Sequence, residues 1–80
     1  MQPEIREIKA GEKYSHFKGR VYRILCIARD TESGCDLVIY QNEEEKDKIW
    51  ARPKDMFVST VDREKYPHAT QKYRFEKIEE

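Results

Sequence analysis

Apolar and polar positions alternate in short runs along this chain. Residues 21–28 form a run rich in β-branched and aromatic side chains, and residues 37–40 form a second run of the same kind. Segments this short with that composition favour strands over helices. The polar cluster at residues 30–34 lies between them and ends in Gly34, where a positive φ is expected. The pattern therefore predicts a β-hairpin.

The two runs also predict a register. With residues 30–34 as the loop, the predicted opposite pairs are Tyr22–Asn42, Ile24–Tyr40, Leu25–Ile39, Cys26–Val38 and Ile27–Leu37. Both faces of the hairpin are then apolar near its middle, whereas a hairpin with one wet face alternates cleanly. Burial on both faces predicts a barrel or a small sandwich, with one face inside and the other covered by a terminal segment.

Shorter elements are predicted on either side of the hairpin. They are an arm at residues 1–11 that can add a strand through Ile5 and Ile8, a charged loop at residues 43–48, a strand at residues 49–52, a helical turn at residues 53–57, an extended stretch at residues 58–61, a turn at residues 62–67 and an alternating, charged edge strand at residues 73–78. Pro53 ends the third strand because proline has no N–H to donate to the ladder.

Eighty residues make a single domain, residues 1–80, with the arm at 1–11 and a barrel at 12–78. The predicted fold is all-β, with about five short strands and one or two short helical turns. Its predicted core comprises Ile24, Leu25, Ile27, Leu37, Val38, Ile39, Met56, Phe57 and Val61.

The charged residues of the chain are numerous but balanced in sign. Charged residues make up 40% of the chain, but 16 Lys and Arg balance 16 Asp and Glu. A neutral domain lacks the basic footprint of most nucleic-acid binders, which leaves only a local patch as a basis for such binding.

The two cysteines, Cys26 in the core and Cys35 after a turn glycine, are predicted to be reduced thiols. The N-terminus lacks the apolar stretch of a secretion signal, and no run is long enough to span a membrane, so we expect a cytoplasmic protein with no membrane partner.

Three motifs along the chain are similar to a known family. H-F-K-G at residues 16–19, V-I-Y at 38–40 and W-A-R-P at 50–53 follow one another at a spacing that resembles the bacterial domain of unknown function 1653 family. The resemblance covers roughly residues 11–78. It implies a small SH3-like β-barrel, assigns no activity and offers no catalytic residues. Asp30 and Cys35 stand where the family's hairpin turn carries a His and a further acidic residue.

His16 lies in the first candidate site. In an extended segment Tyr14, His16 and Lys18 would share one side as a stripe for anions or bases, and Phe17 would point to the core. The alternative is a structural role, in which the His16 ring hydrogen-bonds a neighbouring loop and holds the strand in place.

A second candidate site combines Tyr40, Trp50 and Arg52. Trp50 and Arg52 share a face of the third strand, and pairing with the second strand would bring Tyr40 beside them. Aromatic rings with an Arg suit nucleobases or other planar ligands. The alternative is a Trp that fills the barrel mouth while Arg52 reaches a carboxylate.

Chemistry-bearing motifs are otherwise sparse. There is no C-x-x-C, no metal-binding His spacing and no glycine-rich phosphate loop. We therefore predict no catalytic residues, no metal and no cofactor. The leading hypothesis is a non-catalytic binding module that recognises a small planar ligand, a nucleic acid or a peptide. Its polar-aromatic rim comprises His16, Lys18, Tyr40, Trp50 and Arg52. The alternative is a structural or protein-interaction domain without a ligand pocket, which pairs strand edges or forms a homodimer.

Overall fold

The computed structural model describes residues 7–79, which form one antiparallel sheet and one short helix. The elements are β1 (Lys13–His16), β2 (Val21–Arg29), β3 (Asp36–Asn42), β4 (Ile49–Pro53), α1 (Lys54–Phe57) and β5 (Phe75–Ile78). The strand order is β4-β3-β2-β1-β5. The predicted all-β class is confirmed, and so are the central hairpin, the strand before Pro53, the helical turn after it and the C-terminal edge strand.

The sheet is open, so the predicted SH3-like barrel is not confirmed. β4 and β5 are its two edges, and neither pairs with the other. Residues 58–61 form no strand, and Thr60 makes only an isolated bridge to Tyr73. Ile8 is buried without belonging to a strand, and Ile5 lies outside the described residues.

A β-bulge divides the central hairpin. Before the bulge along β2, the predicted pairs Tyr22–Asn42 and Ile24–Tyr40 are confirmed. After the bulge, the register differs from the predicted one by one residue. Leu25 is the extra residue, and the observed pairs after it are Cys26–Ile39, Ile27–Val38 and Ala28–Leu37. The three predicted pairs beyond Ile24 are therefore wrong, because a bulge sets two residues of one strand against one of its partner.

The core is mainly aromatic and lies on one face of the sheet. Its members are Ile8, Tyr14, Ile24, Val38, Tyr40, Phe57 and Phe75, with Tyr22 and Val58 packed against them. The ring of Phe57 lies parallel to that of Phe75, with centroids 4.0 Å apart, so α1 closes over this face. Tyr14 and Tyr40 each place an edge against Phe57, in the tilted geometries that aromatic pairs prefer.

The predicted two-sided burial is not found. Ile24, Val38, Phe57 and Val61 are buried as expected, and Leu37 and Ile39 are half-buried. The remaining predicted core residues, Leu25, Ile27 and Met56, are exposed, and so is Cys26. Cys26 pairs with Ile39 on the face of the sheet opposite to Val38 and Phe57, which α1 does not cover. Aromatic side chains from β1 and β5 supply the missing core volume.

Candidate functional site

His16 ends β1 and lies among aromatic rings at one end of the core face. It pairs in register with Phe75 of β5, and residues paired in this way project to the same face. The His16 ring centre is 4.9 Å from that of Phe75 and 6.4 Å from that of Tyr22, both edge-on. His16 is therefore half-buried against the core.

A tight turn follows His16 and fixes its ring. The Lys18 N–H donates to His16 Nδ1 at 3.1 Å, and the Gly19 N–H donates to the His16 carbonyl at 2.8 Å. Gly19 has a φ of +104°, a conformation that residues with a Cβ rarely adopt. This ring-to-loop hydrogen bond is the structural role considered for His16. Because Nδ1 accepts, a neutral ring carries its proton on Nε2, which remains a donor.

The surroundings of His16 favour the neutral ring. Burial, followed by the positive charges of Arg52, Lys18 and Arg74, lowers the pKa of His16 to about 4. Both causes act in the same direction, since burial and neighbouring cations each disfavour an imidazolium. At neutral pH the ring is therefore an uncharged donor surrounded by cations, which we call the cation cluster (Lys18, Arg52 and Arg74 around His16).

The side chains of the cation cluster are held by neutral groups. The guanidinium carbon of Arg52 lies 5.7 Å from the centre of the Phe75 ring, and its Nε donates to the Tyr40 hydroxyl at 3.3 Å. Arg74 Nε donates to Ser59 Oγ at 3.0 Å. Lys18 Nζ lies 5.1 Å from the centre of the Tyr66 ring. None of the three cations forms an ion pair with a carboxylate of residues 7–79.

Other cations of the sheet are neutralised. Glu43 binds Arg23 at 2.7 Å and Lys13 at 3.4 Å, and these partners lower the pKa of Glu43. Glu12 binds Lys77 at 3.0 Å. The balanced net charge thus conceals a local asymmetry. Lys13, Arg23 and Lys77 each have a carboxylate partner, whereas the three cations of the cation cluster have none in the described part of the chain.

Trp50 lies beside this cluster on β4. It pairs in register with Tyr40, and Arg52 pairs with Val38, so Trp50 and Arg52 share the core-facing side as predicted. Trp50 is 49% exposed, which leaves part of its indole available to solvent. An exposed indole beside an Arg without a carboxylate partner is a combination that can bind a planar anion.

The structure brings together only part of the predicted rim. His16, Trp50 and Arg52 lie on one face, but Tyr40 is a core residue and contributes its hydroxyl alone. The predicted stripe through Tyr14, His16 and Lys18 is found only in part, because Tyr14 and His16 share one face of β1 but Lys18 does not continue it. Tyr14 is buried, and β1 ends at His16, so the turn carries Lys18 out of the strand. Phe17 is also not a core residue and packs against Tyr66 instead, with ring centroids 4.9 Å apart.

Sequence reasoning missed three members of the site. Arg74 adds charge, Phe75 forms the floor below His16 and Arg52, and Tyr22 closes one side. A signal was present in the alternation of aromatics and cations at residues 72–77, which also fits an edge strand. Their partners lie far away along the chain, so spacing alone does not bring them together.

Metal-binding clusters and membrane-spanning helices are both absent from residues 7–79. Residues 7–79 contain no cluster of three or more His, Cys, Asp or Glu side chains arranged to hold a metal ion. Within the same range, no helix has the length and apolar character needed to cross a membrane.

Comparison with known proteins places the chain in a family. Residues 12–77 match the model of the family described as "Protein of unknown function (DUF1653)". The chain belongs to this family. The match spans most of the chain and includes the His16 turn, the W-A-R-P segment and nearly all of β5. No curated protein and no solved structure matches the chain. DUF1653 membership thus supplies a relationship without an activity, and the function has to be inferred from the site.

Proposed function

We propose that this DUF1653 chain is a non-catalytic binding module for a planar ligand that carries negative charge, of the nucleotide type. The observation that carries the proposal is the cation cluster, in which Lys18, Arg52 and Arg74 surround a neutral His16 without a carboxylate partner among the described residues. A phosphate would supply the missing negative charge, and charge-assisted hydrogen bonds from guanidinium groups are stronger than neutral ones.

The aromatic side chains of the site favour a ligand that contains a planar group. Trp50 offers an exposed indole on the same side of β4 as Arg52, and Phe75 forms a buried floor under Arg52. A base stacked on an aromatic side chain contributes about 1–3 kcal/mol, whichever base it is. His16 Nε2–H adds one donor for an oxygen of the ligand.

Binding without catalysis fits the same geometry. No carboxylate of residues 7–79 orients His16 as a general base, and its lowered pKa of about 4 leaves it a weak base at neutral pH. Cys26 and Cys35, the two thiols of the chain, are exposed on the central hairpin and its turn, where no hydrogen bond joins either side chain to His16.

The test is an NMR titration of the full, ¹⁵N-labelled chain with uridine 5′-monophosphate, uridine and inorganic phosphate in turn. We expect saturable chemical-shift changes at His16, Trp50, Arg52 and Arg74. The monophosphate should bind more tightly than uridine or inorganic phosphate alone. Shifts scattered over the whole sheet, or none with any of the three, would refute the proposal.

A second candidate is a protein-interaction domain that pairs at the edge of the sheet. β4 is an edge strand, and Ile49 is 57% exposed on it. Exposed strand edges accept further strands from a partner. Light scattering over a range of concentrations tests the homodimeric form of this candidate. A mass that doubles in the wild type but not in Ile49→Lys would support it, and a constant monomer mass would exclude self-pairing.

A further inference from the structure

An aromatic pocket lies beside the cation cluster. It has a volume of about 280 Å³ and is mostly apolar; its lining residues are Phe17, Lys65, Tyr66, Pro67, His68 and Ala69. Sites for drug-sized ligands are typically roughly 300–1,000 Å³, so this pocket suits a single ring rather than a large cofactor. We call it the Tyr66 pocket.

Two lysines give the Tyr66 pocket a positive border. Lys18 Nζ lies 5.1 Å and Lys65 Nζ 5.7 Å from the centre of the Tyr66 ring. Neither lysine forms an ion pair within residues 7–79. An apolar, ring-lined pocket with two such ammonium groups favours a planar group attached to an anion, because the ring binds the aromatic surface and the anion binds the lysines.

The Tyr66 pocket is continuous with the first site. Ring centres are 4.9 Å apart between Tyr66 and Phe17, 4.6 Å between Phe17 and His16, and 4.9 Å between His16 and Phe75. Arg52 then lies 5.7 Å from the Phe75 centre. A continuous row of aromatic contacts therefore connects the Tyr66 pocket to the Phe75 ring. Lys18 and Lys65 lie at the pocket end of this row, and Arg52 lies at the Phe75 end.

We propose that the Tyr66 pocket is a second base-binding subsite, so that the preferred ligand is a single-stranded oligonucleotide rather than a mononucleotide. This inference rests on the proposed function of the cation cluster and specifies its ligand class. One base stacks at Trp50 and another base of the same strand occupies the Tyr66 pocket. The phosphates between them lie over Lys18 and the guanidinium groups. A backbone-tracking cationic groove with successive stacking rings is the common design of sequence-tolerant single-strand binders.

The experiment compares ligand lengths on the full chain. Uridine 5′-monophosphate and oligouridylates of about two, four and eight nucleotides are titrated by NMR at one fixed salt concentration, since affinities for nucleic acids depend on salt. We expect an oligouridylate to bind at least about fivefold more tightly than the monophosphate, because each stacked base adds affinity. New shifts should appear at Phe17, Tyr66 and Ala69.

Two variants assign the gain to the Tyr66 pocket. Tyr66→Leu should remove the length-dependent gain. Because Lys18 also lies over the Tyr66 ring, that gain is measured relative to the variant's own affinity for the monophosphate. Its matched control is Tyr73→Leu, because Tyr73 also has a lysine over its ring at 5.3 Å but does not line the pocket. Lys65→Gln keeps the pocket and removes one charge, so it should lower the salt slope of oligonucleotide binding by about 0.7. Lys46→Gln, in the exposed loop before β4, is the control for charge.

The outcomes separate this inference from the proposal on which it rests. A gain with length that Tyr66→Leu abolishes supports the second subsite. A monophosphate that binds at the cation cluster without any gain with length, or a gain that survives in Tyr66→Leu, overturns the subsite and leaves the proposed function standing. No binding of the monophosphate or of any oligouridylate overturns both.

Discussion

Arg52 Nε donates to the Tyr40 hydroxyl across 3.3 Å, so a buried ring of β3 positions the guanidinium of β4. This contact joins the core to the cation cluster. Tyr40→Phe removes the hydroxyl and keeps the ring, and we expect weaker nucleotide binding with a stability loss of only about 0.5–1.5 kcal/mol. NMR affinities and urea unfolding measure the two effects. Tyr73→Phe, outside the site, is the control, and equal affinity in both variants would show that the Tyr40 hydroxyl does not position Arg52.

The charge of Arg52 also acts on His16. Because Arg52 is the largest charged contributor to the lowered His16 pKa of about 4, Arg52→Gln should raise that pKa. The pH dependence of the His16 ring resonances measures the change. Arg29→Gln is matched in charge and lies at the far end of β2, where Arg29 pairs with Asp36 at 3.5 Å. Unchanged His16 titration in Arg52→Gln would contradict the described proximity of the two side chains.

The lowered pKa of His16 predicts a pH dependence of stability. The unfolded chain takes up a proton near pH 6.5 but the folded chain only near pH 4, so the free energy of unfolding should fall as pH decreases through that window. Above about pH 7 this contribution is constant. His16→Asn, which offers an acceptor near the place of Nδ1, should flatten the decrease, and His68→Asn at an exposed position should leave it intact. Urea unfolding as a function of pH is the measurement.

Two adjacent residues of α1 should differ sharply in their effect on stability. Phe57 is fully buried and stacked on Phe75, whereas Met56 is 47% exposed. Phe57→Ala should therefore cost about 3–5 kcal/mol, as for other buried aromatics, and Met56→Ala should cost under about 1 kcal/mol. Similar losses in the two variants, measured by urea unfolding, would mean that α1 does not cover the sheet as described.

Local sequence patterns predicted much of the fold. Strand propensity located the central hairpin, and Pro53 marked the end of β4 because it cannot continue the ladder. The bulge at Leu25 was missed because no glycine or other local signal marks it, and one extra residue moved all later pairs. Leu25 and Ile27 were consequently assigned to a core that aromatic side chains fill instead.

The site was less predictable than the fold. Trp50 and Arg52 lie two residues apart in one strand, so their shared face followed from the strand period. Phe75 and Tyr66 are brought to His16 and Phe17 by tertiary packing across 59 and 49 residues, which no local period encodes. Lys18 was misplaced because the turn at Gly19 ends β1 before it.

The central claim is that the cation cluster and Trp50 bind a nucleotide together. Trp50 is the single tryptophan of the chain, so its fluorescence reports on this site alone. Uridine 5′-monophosphate should quench that fluorescence saturably, with an affinity that falls about tenfold or more in Arg52→Gln, since a charged hydrogen bond contributes about 1.5–3 kcal/mol. Arg29→Gln should match the wild type. Absent quenching, or equal affinity in the wild type and Arg52→Gln, would contradict the claim.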